Sequence, residues 1–202
     1  MKIGVLGGTF DPIHTGHLVL AEEVRLRLGL AEVLFVPAGH PWLKSGTPIS
    51  PAEQRVRMVR LAIAGRPCFK LSTMEVDRPG PSYTVDTMLK LKSQRGSGDE
   101  LYFILGWDNL EELPRWHEPE RLIELCRLVA IPRAGCPVPD LKTLEADVPG
   151  LFKRVIMLDK PEIDISASVI RERVARGLSI EHLVPEAVGK YIREQKLYKE
   201  GR

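Results

Sequence analysis

The chain has 202 residues, 44 % of them apolar, which is enough to enclose a sizeable core. With 29 Lys and Arg against 27 Asp and Glu the formal net charge is only +2, which argues against a nucleic-acid binder while leaving room for a local basic pocket for phosphates. The three cysteines, Cys68, Cys126 and Cys136, are odd in number and none has C-x-x-C spacing, so a disulfide framework or a zinc site is disfavoured and a reducing compartment is favoured.

Lys2 to Leu6 is a short apolar run ending in Gly7-Gly8, and it reads as a buried strand. No basic-then-apolar leader precedes it, and no apolar run approaches the ~20 residues of a membrane helix, so a cytoplasmic protein with no membrane partner is expected. Leu18 to Leu28 places Leu18, Ala21, Val24 and Leu28 at helical spacing, and Gly29 stops the helix. Val33 to Val36 is the next strand. Ser50-Pro51-Ala52-Glu53 reads as a capping box with proline at the first helical position; Val56, Val59 and Ile63 form one face, and Gly65 ends the helix. Phe69 to Val76 alternates like a strand, and Tyr83 to Gln94 reads as a helix stopped by Gly96. Leu101 to Leu105 is a buried strand, Pro119 to Cys126 a helix, Leu128 to Ile131 and Val155 to Leu158 strands, Ser166 to Arg176 and Pro185 to Gln195 helices. Ala134 to Gly150, rich in proline and acidic residues, reads as a loop or an irregular helix. Alternating strands and helices predict an α/β protein, a doubly wound parallel sheet covered on both faces. One domain over 1–202 is expected, with 166–202 as a C-terminal helical part.

The segment Gly7-Gly8-Thr9-Phe10-Asp11-Pro12-Ile13-His14-Thr15-Gly16-His17 joins the first strand to the first helix. Ligands in such folds bind at the carboxyl ends of strands, and free amides at a helix start attract anions. Gly16 lets a phosphate approach the backbone, and His14 and His17, three apart, share one side of a helical turn. Two histidines at this spacing also fit a metal pair, but no matching Cys, His or Asp pair stands elsewhere. Neither G-x-G-x-x-G nor G-x-x-x-x-G-K-[ST] is present, so hydride transfer and ordinary P-loop hydrolysis lose support.

This segment resembles the H-x-G-H signature of the nucleotidyltransferase superfamily, and its longer form G-G-T-F-D-P-x-H-x-G-H is similar to that of nicotinate mononucleotide adenylyltransferases. Three further strings resemble the same family: Pro81-Ser82-Tyr83-Thr84-Val85-Asp86-Thr87, Gly106-Trp107-Asp108 followed by Trp116, and Ile165-Ser166-Ala167-Ser168-Val169-Ile170-Arg171, with Ala167 a departure. Pro41-Trp42-Leu43-Lys44 keeps only the first proline and the lysine of the family's P-P-H-K.

The resemblance implies a Rossmann-like nucleotidyltransferase fold and adenylyl transfer from ATP to nicotinate mononucleotide, giving nicotinate adenine dinucleotide and pyrophosphate in NAD biosynthesis. His14, His17 and Lys44 are the implied catalytic residues. Gly7, Gly8, Thr9, Phe10, Gly16, Gly106, Asp108, Arg133, Ser166, Ser168 and Arg171 join the histidines around ATP. Ser82, Tyr83, Thr84 and Trp116 join Lys44 around the mononucleotide. Mg²⁺ is expected to ride on the phosphates, with no protein ligand, and no nucleic acid is expected as a partner. Read from the residues alone, Ser82 or Thr84 also fits a plain helix cap, Trp116 a core or rim tryptophan, and Arg171 a surface arginine. The rival functions are an adenylyltransferase for nicotinamide mononucleotide or phosphopantetheine, a regulatory module with a decayed site, and a zinc hydrolase.

Overall fold

A computed structural model describes residues 1–41, 48–96, 98–162 and 164–199. Its strands β1 (Lys2–Gly8), β2 (Glu32–Pro37), β3 (Phe69–Leu71), β4 (Glu100–Gly106), β5 (Arg127–Ile131) and β6 (Val155–Met157) form one sheet in the order β3-β2-β1-β4-β5-β6. Every pairing is parallel. Helices cover both faces, so the inner strands are nearly continuous apolar runs. Alternate residues go to opposite cores. Leu6, Phe35, Ile104 and Val129 pack with α1 (Thr15–Leu28) and α2 (Ala52–Ile63). Val5, Val36, Phe103 and Leu128 pack with α3 (Thr84–Gln94), α4 (Trp107–Glu111), α5 (Pro119–Leu125) and α6 (Leu141–Asp147). At the C-terminal end, α7 (Ala167–Ala175) and α8 (Glu186–Glu194) add Ile170, Val188 and Ile192 to the first core.

The chain winds outward from β1 through β2 to β3, then returns to lay β4 on the other side of β1. That reversal opens a crevice at the carboxyl ends of β1 and β4, where doubly wound sheets bind ligands. Among the described residues no helix is long and apolar enough to cross a membrane.

Several boundaries differ from the sequence-based expectation. Helix α1 starts at Thr15, ahead of Leu18, because Thr15 is anchored through its amide (2.9 Å) and hydroxyl (3.0 Å) to the Leu183 carbonyl. Pro51 precedes α2 rather than opening it, and no side chain caps this helix, so the expected capping box is absent; the Ser50 amide instead donates to Asp11 Oδ2 at 3.0 Å. On α2 the buried positions are Arg55, Met58, Val59, Ala62 and Ile63, with Arg55 in the place expected of Val56.

Strand β3 stops at Leu71 instead of Val76. Past it, the Asp77 amide donates to the Thr73 carbonyl (2.9 Å) and the Thr73 hydroxyl to Asp77 Oδ2 (2.7 Å), a local pairing that turns the chain out of the sheet. Within 134–150, Asp140 caps the regular helix α6 by accepting from the Lys142 amide at 3.0 Å. The short helix α4, just past the expected strand Leu101 to Leu105, has no counterpart among the elements expected from the sequence.

Candidate active site

A cleft of about 500 Å³ lies over the carboxyl ends of β1 and β4, a size that suits a small-molecule ligand. Its floor is the turn after β1. His14 is extended (φ −137°, ψ 169°) and leads into α1, whose first turn carries Gly16 and His17. The His14 amide donates to His17 Nδ1 at 3.2 Å, and the two imidazoles stack with centroids 3.6 Å apart. Phe10 meets His17 edge-on at 5.0 Å from a left-handed backbone conformation (φ 49°), costly for a residue with a Cβ and typical of functional turns. Burial, then the charge of Arg133, lowers the His14 pKa to about 4, so its imidazole is neutral at pH 7.

Behind this turn sits a buried guanidinium. Arg55 donates to the carbonyls of Thr9 (2.9 Å), Ala38 (2.7 Å), Gly39 (3.3 Å) and Ser50 (2.9 Å), tying the turn after β1 to the one after β2. Asp11, also buried, accepts the Tyr198 hydroxyl at 2.7 Å, while its carbonyl receives Arg171 at 2.8 Å. Burial pushes the Tyr198 hydroxyl up, and the Asp11 carboxylate adds to the shift. Arg55, Tyr198 and the buried Glu75 are absent from the sequence-based site. The one signal for Arg55 was its place four residues before Val59 on the apolar stripe of α2.

Beyond β4, Asp108 receives Arg133 at Oδ2 and the Asn109 side-chain Nδ2 at Oδ1 (3.3 Å). A Cβ on Gly106 would stand 2.3 Å from Asp108 Oδ1, so the glycine makes room for this carboxylate. At the start of α7 the Ser166 and Ser168 hydroxyls lie 2.6 Å apart; Ser166 and Arg171 line the cleft, whereas Ser168 is exposed outside the lining.

The opposite wall is the start of α3. Tyr83 holds the cap position and no side chain caps the helix, so Ser82 and Thr84 are not the plain caps they resembled. Ser82 Oγ instead accepts the amides of Gly39 (2.9 Å) and His40 (3.1 Å). Thr84 lines the cleft. Tyr83 lies outside the lining, its ring stacked on His117 at 4.2 Å and its amide donating to the Pro81 carbonyl. Trp116, half-buried, follows the 3₁₀ turn Leu113–Arg115, lines the cleft and meets Phe103 edge-on at 5.9 Å. Its Nε1 is buried with no hydrogen-bond partner among the described residues. Of the sequence-predicted residues, Gly7, Gly8, Thr9, Phe10, His14, Gly16, His17, Gly106, Asp108 and Arg133 therefore line one cleft with Ser82, Thr84, Trp116, Ser166 and Arg171. Lys44 lies outside the described residues. Among those described, no three His, Cys, Asp or Glu side chains converge as a metal site.

The cytidylyltransferase-like family model matches residues 5–173. A probable nicotinate-nucleotide adenylyltransferase from Dehalococcoides mccartyi is 56 % identical over 198 residues, spanning 98 % of this chain and 97 % of that protein. One from Roseiflexus sp. is 48 % identical over 197 residues, 98 % of each. The backbone is similar to that of Plasmodium falciparum nicotinic acid mononucleotide adenylyltransferase complexed with NaAD, with a TM-score of 0.78 over 98 % of this chain and 97 % of that one; at 20 % identity this likeness is one of fold. By the family match and these identities along nearly its whole length, the chain belongs to the cytidylyltransferase-like family and, within it, to the nicotinate-nucleotide adenylyltransferases.

Proposed function

We propose that the chain catalyses adenylyl transfer from ATP to nicotinate mononucleotide. A phosphate oxygen of the mononucleotide bonds to the α-phosphorus of ATP, the bond from that phosphorus to the bridging oxygen breaks, and pyrophosphate leaves. The observation that carries this reading is the pair His14 and His17 at the first turn of α1, facing across one cleft an uncapped helix start and a half-buried tryptophan. The relatives' names supply the substrates.

The attacking phosphate monoester, with a second pKa of about 6, is already largely dianionic at pH 7, so no protein base is needed. The work left is positioning and stabilising charge. In this reading His17 contacts the α-phosphate as charge builds there. His14, being neutral, serves as a hydrogen-bonding group rather than a cation. The glycines after β1 and in α1 let phosphates approach the backbone. Arg171 and the serines opening α7 hold the triphosphate end, with Arg133 released from Asp108 as nucleotide enters. Asp108 then takes ribose hydroxyls, and Lys44 bridges incoming and departing phosphates. On the far wall, amides from Thr84 onward receive the nicotinate carboxylate and Trp116 stacks on the ring.

In this reading Mg²⁺ enters as part of the substrate, bound by phosphate oxygens and water, since it prefers oxygen ligands and retains water. Three free cysteines support a cytoplasmic setting. The test is formation of the dinucleotide and pyrophosphate from ATP plus nicotinate mononucleotide. A chelator should abolish both and added Mg²⁺ restore them. Turnover that survives chelation, or stoichiometric zinc on His14 and His17, contradicts the reading.

A further inference from the structure

Glu75 is a buried carboxyl group that adenylyl transfer does not call upon. It stands in the irregular segment after β3, lines the cleft, and is 7 % exposed. The hydroxyl of Thr87, in the first turn of α3, donates to its Oε1 at 2.7 Å. Ser82 Oγ already accepts two amides, from Gly39 and His40, so its own proton is left to donate toward the neighbouring Glu75 carboxylate, whose charged form it favours. The Ser82 amide returns a hydrogen bond to the His40 carbonyl at 3.0 Å. Glu75 also packs its backbone so tightly on Gly39 that a Cβ there would stand 2.3 Å from the Glu75 carbonyl oxygen. The end of β2, the segment after β3 and the entry to α3 thus meet at one carboxyl group. Burial pushes its pKa above the usual carboxylate range, while the two hydroxyl donors and Arg78 act the other way.

We propose that Glu75 is a positioning residue for the acceptor mononucleotide: by holding Ser82 and Thr87 it aims the first turn of α3 at the acceptor's carboxylate. The inference rests on the adenylyl-transfer reading. Glu75 acts through its two hydroxyl donors, both on the acceptor side, whereas the ATP side is built from the α1 turn and the start of α7. Losing it therefore weakens one substrate and spares the other.

The test is steady-state kinetics of full-length Glu75→Gln, which keeps the size but turns an NH₂ toward one of the two hydroxyl donors. KM for nicotinate mononucleotide should rise about tenfold, with kcat and KM for ATP within about twofold. Amide hydrogen exchange over residues 83–87 should quicken relative to the central strands. Thr87→Val should shift the same KM in the same direction, and Thr87→Ser, which keeps the hydroxyl, should restore it. If Glu75→Gln does not fold, the Thr87 pair makes the same decision. Equal rises in both KM values, or an unchanged acceptor KM and unchanged exchange, would overturn the proposal. An active-site reading that fails shows itself separately, as wild-type protein without turnover; the exchange comparison still decides whether Glu75 holds the α3 start.

Discussion

In the proposed reaction His17 acts on the α-phosphate, and its ring is fixed on three sides: by the His14 amide, the His14 ring and the Phe10 edge. A donor held in place where charge develops is worth ~10²–10³ in rate. His17→Ala should lower kcat by that factor and change KM for ATP far less, with thermal unfolding measured alongside to separate lost chemistry from lost fold; near-normal kcat contradicts the assignment. His14 makes a pH-linked expectation. Its pKa is about 4 in the fold against 6.5 for the free group, so the unfolded chain takes the proton first as pH falls. The stability tied to neutral His14 is complete above about pH 6.5 and is lost as pH falls toward 4. Urea unfolding of His14→Asn should show a shallower fall in stability across that window than wild type, and parallel curves contradict it. The histidines, glycines and serines of the site were legible because each sits in a short contiguous string. Arg55 and Tyr198 were not: Tyr198 reaches Asp11 across 187 positions, and no local pattern encodes such a contact.

Among the elements, the strands buried on both faces were the most legible, since a run such as Leu101 to Leu105 has no other stable use in a parallel sheet. Legibility failed where local hydrogen bonding competes with the ladder. The Thr73–Asp77 pairing ends β3, and the same turn delivers Glu75 to the cleft. Helix α4, five residues long, is too short to show a period. Helix α6 hid in a proline- and acid-rich stretch in which the cap, Asp140, was the usable cue. The contact between the turn after β2 and the segment after β3 sets a further expectation. At Gly39 the added methyl of Gly39→Ala meets the Glu75 carbonyl at 2.3 Å, and overpacking of this kind costs about 1–3 kcal/mol. Denaturant unfolding should report that loss, together with a raised KM for the mononucleotide. Wild-type stability with an unchanged KM would show that the two segments move apart freely.

For the whole molecule, the sheet order β3-β2-β1-β4-β5-β6 places the crevice between β1 and β4. Composition and alternation gave the class of fold; the order itself depends on where β4 docks, which tertiary packing decides. In the proposed reading the same crevice divides the substrates, with the histidine turn and α7 on the ATP side and α3 and Trp116 on the acceptor side. In that reading the acceptor wall offers the amides of a helix start that no side chain caps and a positive helix end, which suit a carboxylate; an amide group presents N–H where those donors need an acceptor. A site built to pair with one group rejects a mismatch because its own polar atoms are left unpaired. The most direct measurement is therefore pyrophosphate release with ATP and either nicotinate mononucleotide or nicotinamide mononucleotide, run in parallel to give kcat/KM for each. The expected result is at least ~10-fold preference for the acid, about 1.4 kcal/mol; equal values, a preference for the amide, or no release with either would contradict the account.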